Sequence, residues 1–114
     1  VIFNAAEINT SDNENIIKAI NGVNIVDPNG LVIDGDSAVY NKKKSILKVI
    51  GNVVAVDKNN KIILKAKEIT YLRSLNIIKT KNFTTIEVDK KHTKFLTPPF
   101  RAASITLVLI IKLS

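Results

Sequence analysis

Two neighbouring acids, one histidine and a surplus of lysines are the residues on which chemistry in this 114-residue chain would have to rest. Asp34 and Asp36 flank Gly35 and share a strand parity, so their carboxylates can lie side by side. Such a pair can serve acid–base catalysis or hold calcium, but the simpler reading is a solvated acidic loop. His92 stands in Asp89-Lys90-Lys91-His92-Thr93 and reads as an exposed residue of a charged turn. Cysteine is absent, which excludes disulfides, thiolate metal sites and cysteine nucleophiles. A single histidine excludes a His-rich metal cluster. With no glycine-rich phosphate loop and no serine elbow, no catalytic constellation emerges, and the chain reads as a non-enzyme that needs no cofactor.

The basic residues point elsewhere. Residues 1–41 carry six acids and one base, whereas residues 42–114 carry sixteen Lys or Arg and four acids. The whole chain is +7. A basic half suits an anionic partner: nucleic acid, a membrane surface or a phosphorylated glycolipid. Lysines that solubilise strand faces and guard sheet edges are the plainer explanation. Tyr40, Tyr71 and four Phe are few stacking platforms, and no patterned arginine readout accompanies them, so nucleic acid is not expected.

The elements that position these residues are strands. Ile (18), Val (11) and Thr (8) make up about a third of the chain, and branched side chains favour a pleated surface over a helix. No 11-residue stretch holds a capped 3.6 period. The chain also repeats. Ile16-Ile17-Lys18-Ala19-Ile20-Asn21-Gly22-Val23-Asn24-Ile25-Val26-Asp27 lies in phase with Ile46-Leu47-Lys48-Val49-Ile50-Gly51-Asn52-Val53-Val54-Ala55-Val56-Asp57. A looser copy starts at Ile77-Ile78-Lys79-Thr80 and ends at Ile86-Glu87-Val88-Asp89. Asp27-Pro28-Asn29-Gly30 and Asp57-Lys58-Asn59-Asn60 supply equivalent turns. Period-2 parity then selects one apolar lining: Ile17, Ala19, Val23 and Ile25; Leu47, Val49, Val53 and Ala55; Ile62 and Leu64; Ile78 and Ile86. Thr80, Thr84 and Val88 share that parity in the third copy. Lys18, Lys48 and Lys79 take the opposite, mixed face. A stacked all-β domain over residues 1–93 is the expectation.

The same residues resemble a known repeat. Gly51-Asn52-Val53 follows an alternating strand and leads through a turn and a second strand to Glu68-Ile69-Thr70-Tyr71. Ser37-Ala38-Val39-Tyr40 matches the tyrosine strand of the preceding copy. This pattern resembles the OstA-like repeat of the lipopolysaccharide-transport proteins LptA and LptC and of the LptD N-terminal domain, over about residues 4–93. Asn21-Gly22-Val23 departs by exchanging Gly and Asn, and Asn82-Phe83-Thr84 lacks the Gly. The resemblance implies a β-jellyroll clamp that holds lipid A acyl chains on its apolar lining. It further implies stacking on sister jellyroll domains by edge-strand pairing, in a periplasmic, outer-membrane-associated bridge. The alternative is a structural module that pairs edge to edge without binding lipid, or a fragment of a longer protein, since residue 1 is Val rather than Met.

Residues 94–114 fall outside the repeat and read as an out-of-family apolar tail. Thr97-Pro98-Pro99-Phe100 breaks regular structure. The apolar run at 105–113 is too short for a spanning helix of about 20 residues, and a final buried strand, a tail from a disrupted reading frame and a membrane anchor all stand open. Sheet edges are expected to be exposed at the strand of Ile8 and near Ile86 to Val88.

Overall fold

The computed structural model describes residues 1–59, 61–87 and 108–112. It contains strands β1 (Ile2–Ser11), β2 (Ile16–Val26), β3 (Leu31–Gly35), β4 (Ser37–Asn41), β5 (Ile46–Asp57), β6 (Ile62–Leu72), β7 (Ile77–Glu87) and β8 (Val108–Lys112). They form one antiparallel sheet in the order β1-β2-β3-β5-β6-β7-β8, with β4 pairing both β2 and β5. The fold is all-β, as the branched aliphatics and the period-2 pattern require.

β3 and β4 are one strand interrupted at Asp36. β3 runs beside the Val23–Val26 part of β2, and β4 beside the Ile16-to-Ala19 part. The interruption marks a crease across the sheet. At that level β2 has Asn21 (φ 64°) and Gly22 (φ 90°), and β5 has Gly51 (φ 86°) and Asn52 (φ 47°). Two consecutive left-handed residues bend a strand, and Gly and Asn are the types that accept that conformation most readily. Both orders of Gly and Asn thus keep two left-handed residues at the bend. Hydrogen bonding survives the bend: the Gly22 N–H donates to the Asp36 carbonyl (2.9 Å), and the Asp36 N–H donates to that of Gly51 (2.9 Å).

The crease divides the sheet into two halves that face each other. Phe3 and Tyr40 belong to opposite halves, and their ring centroids lie 5.7 Å apart. One core cluster draws Ile25, Ile33, Ala55 and Leu64 from the first half and Ala19, Leu47, Ile69 and Ile78 from the second; each is at most 2% exposed. Without a helix among the described residues, each half supplies the cover the other needs. Each fully buried aliphatic contributes about 1.5–3 kcal/mol relative to exposure. In β6 the inward parity changes across the crease, from Leu64 and Ala66 to Ile69 and Tyr71. In β5 it does not, because Gly51 and Asn52 together stand opposite one β6 residue.

Successive units are stitched at their turns. The Lys42 N–H donates to the Asn15 carbonyl (2.8 Å), and one unit later the Arg73 N–H donates to that of Ser45 (3.0 Å). At the opposite rim the Lys58 N–H donates to the Gly30 carbonyl (3.1 Å).

β1 has β2 as its one described neighbour, so its other edge carries no described strand. Ile8 sits opposite buried Ala19 yet is 46% exposed on this edge strand. The run at 105–113 contributes β8, which pairs with β7 from Ile77↔Lys112 to Lys81↔Val108. A strand is thus the reading the structure takes for residues 108–112. β8 covers the first part of β7, while Phe83 to Glu87 have β6 as their described partner. Val88, His92 and the Pro98-Pro99 break lie outside the described residues.

Candidate functional site

The polar residues with the most developed geometry sit where the free rims of the two halves meet, opposite the crease. Asp27 follows β2 at one rim. Its carbonyl accepts from the Gly30 N–H (3.0 Å), and its Oδ1 accepts from the Asn29 N–H (3.2 Å), a local turn that Asp57 repeats with Asn59 (3.1 Å). Arg73 follows β6 at the other rim. Its Nε donates to Asp27 Oδ2 (3.1 Å), and its Nη1 donates to the Tyr40 hydroxyl (2.8 Å). The guanidinium carbon also lies 5.9 Å from the Tyr40 ring centroid.

Asp27 is 3% exposed, so its charge needs partners. Burial alone pushes its carboxyl up, but the Arg73 guanidinium, the Asn29 N–H and the Tyr71 hydroxyl together hold it below the ordinary value of 3.8. Burial pushes the Tyr71 hydroxyl above its usual range, reinforced by the neighbouring Asp27 charge. Arg73 is held above its own ordinary value, chiefly by its hydrogen bond to Asp27. Among the described residues no buried side-chain nitrogen or oxygen lacks a partner.

Two clefts open beside this ion pair. One, of about 480 Å³, lies between Phe3, Ile17 and Tyr40, with Lys42, Ser45 and Arg73 on its wall. The second, of about 350 Å³, is mainly polar and is formed by the turns of both rims around Asn29, Asn59 and Asn76.

The lining selected by parity faces inward. Ala19, Val23, Ile25, Leu47, Val49, Val53, Ala55, Leu64, Ile78 and Ile86 are buried, and Ile17 and Ile62 are partly buried against the same cluster. Between the halves these side chains pack on one another. Thr80 joins them at 2% exposure. Asp34 and Asp36 are not joined into a dyad: Asp34 accepts from Asn24 Nδ2 (2.9 Å), and Asp36 accepts from Asn52 Nδ2 (3.1 Å) at the crease. Both are exposed, on strand and bend rather than in a loop.

Sequence reasoning missed the Asp27–Arg73–Tyr40 network. A signal existed: Asp27 and Asp57 recur one unit apart, and Arg73 takes the place of Lys42 in the next unit, with a planar fork suited to one carboxylate and one hydroxyl. No protein-family model matches the chain, and neither a curated protein nor a solved structure matches it.

Proposed function

We propose that the chain is a lipid-handling module of the OstA-like, lipopolysaccharide-export kind, acting in the periplasm at the outer membrane as a jellyroll clamp. Acyl chains of lipid A would enter between the two halves, on the lining from Ile17 to Ile86, and sister domains would add to the β1 edge. The observation that carries this reading is the apolar interior running out to that edge, where Ile8 stands exposed opposite buried Ala19. Packed interiors release apolar surface only if the halves part, so uptake requires hinging at the crease and breaking Asp27–Arg73. Each methylene transferred from water contributes about 0.8 kcal/mol toward that cost.

The test is photo-crosslinking of lipopolysaccharide to chains carrying a photoreactive residue at Ile8, Ile17 or Lys79. Crosslinks at Ile8 and Ile17, with none at the outward Lys79, are expected. Equal labelling at all three, or none in a folded chain, would overturn lipid uptake. The dense packing between the halves favours a second reading, a structural module pairing through β1 without lipid. That reading requires self-association together with no lipid crosslink at any position. Retardation of nucleic acid that weakens steeply with salt would oppose both readings.

A further inference from the structure

From the 350 Å³ cleft at the rims, we infer a binding site for a neutral, hydroxyl-rich ligand, a single sugar ring. Its volume falls within the about 300–1,000 Å³ of small-molecule sites. Three separate turns deliver amides to it: Asn29 after β2, Asn59 after β5 and Asn76 after β6. The wall alternates donors and acceptors. Asn59 Nδ2 is committed to the Asn29 carbonyl (2.7 Å), leaving Asn59 Oδ1 as an acceptor. Asn76 Oδ1 lies 3.4 Å from the Tyr71 hydroxyl, whose single proton the Asp27 carboxylate also draws, and the Asn76 Nδ2 hydrogens stand as donors. Vicinal hydroxyls, each both donor and acceptor, match such a wall. Pro28, exposed, lines the rest with Leu31 buried behind it, and suits the C–H face of the ring.

Other ligand classes fit less well. No lysine or arginine lines the cleft among the described residues, so nothing there favours an anion. Arg73, the nearest cation of the rim network, is engaged by Asp27 and Tyr40. A nucleobase needs an open aromatic face, and Tyr71, 1% exposed, offers none. One lining carboxylate among neutral amides is a poor cage for calcium, which takes six to eight oxygens and usually several carboxylates. This inference does not rest on lipid uptake, and the experiment below reads neither lipid nor oligomers.

Side-chain amide signals of Asn29, Asn59 and Asn76 are to be followed by nitrogen-15 NMR during titration with glucose, galactose and N-acetylglucosamine. Saturable shifts of these signals with at least one sugar are expected, with a dissociation constant on the order of millimolar, as befits a ligand of a dozen heavy atoms. Asn76 has φ 56°, so Asn76→Gly removes the amide while keeping a backbone that glycine accepts. That variant should melt within a few degrees of the wild type and bind at least tenfold more weakly. Non-saturable shifts, unchanged binding in Asn76→Gly, or a response to calcium in place of sugar would overturn the site.

Discussion

Arg73 Nε stands 3.1 Å from Asp27 Oδ2, and this contact joins two rims that the chain reaches 46 residues apart. At the crease the halves are continuous backbone; at the rims this ion pair ties them. Its carboxylate is nearly sealed from water, while the guanidinium side chain keeps 26% of its surface.

Arg73→Ala leaves the Asp27 charge buried and unpaired. A loss of about 2–3 kcal/mol is expected, below the value for a fully sealed pair because water still reaches the guanidinium. Urea denaturation at neutral pH measures it. A change under 0.5 kcal/mol would mean that the rims are held by packing alone.

The same pair sets an acid limit. The Asp27 carboxyl is held below 3.8 in the folded chain, so its stabilisation is present above that pH and is lost as pH falls through the folded value. The wild type should therefore lose stability more steeply on acidification below pH 3.8 than Asp27→Asn, which cannot titrate there. Parallel pH profiles for the two proteins would contradict the assignment.

Faces of β5 and β7 can be separated by substitution. Val53 is 1% exposed, and Val53→Asp should cost several kcal/mol and abolish cooperative melting. Lys48, 3.6 Å from Glu68 across the outer face, and Lys79 should each tolerate Gln within about 0.5 kcal/mol. Thermal melts of all three variants decide it, and a large loss from either lysine would invert the faces.

At the crease, two glycines should behave differently. A Cβ on Gly22 meets nothing within 4 Å, so Gly22→Asn should cost only its left-handed strain at φ 90°, about 1 kcal/mol. A Cβ on Gly51 would collide with the Asp36 side chain, whose Cβ and Cγ lie at 2.8 Å. Gly51→Ala should cost more than about 2 kcal/mol, combining left-handed strain with that clash. Equally small losses in both would show that the bend tolerates a side chain at either place.

The β1 edge is expected to recruit strands. Sedimentation velocity over a hundredfold concentration range should show assemblies that grow without closing, and Ile8→Lys should reduce them, since an edge lysine blocks strand addition. A single monomeric species throughout would remove edge pairing from the function.

Much of this was legible because strand parity is local information. Leu47, Val49, Val53 and Ala55 keep one parity through the crease, so a period-2 reading placed them correctly. Ile69 and Tyr71 escaped it because β6 changes parity at the bend, which depends on what the neighbouring strand does rather than on β6 itself. The Asp27–Arg73 contact was hidden for a related reason. Its partners sit in different units, and the doubling of the sheet brings them together. In the sequence Asp27 looked like a turn former, which it also is.

The turn-to-turn stitching also dictates how the molecule can change length. Gly30 precedes Leu31 as Lys61 precedes Ile62, with φ 91° and 55° in the same left-handed region. Excising residues 31–61 would join Gly30 to Ile62, set Leu64 where Ile33 stood and Tyr71 where Tyr40 stood, and offer the Asn15 carbonyl the Arg73 N–H in place of the Lys42 N–H. Inserting a copy would do the reverse. Either edit changes the strand order by two, about 9.6 Å at ordinary strand spacing. Cuts that do not join equivalent positions of two units, 30 or 31 residues apart, break the phase of every later carbonyl. Reach in this architecture is quantised, and a lineage of such proteins would vary by whole coils while keeping one cross-section.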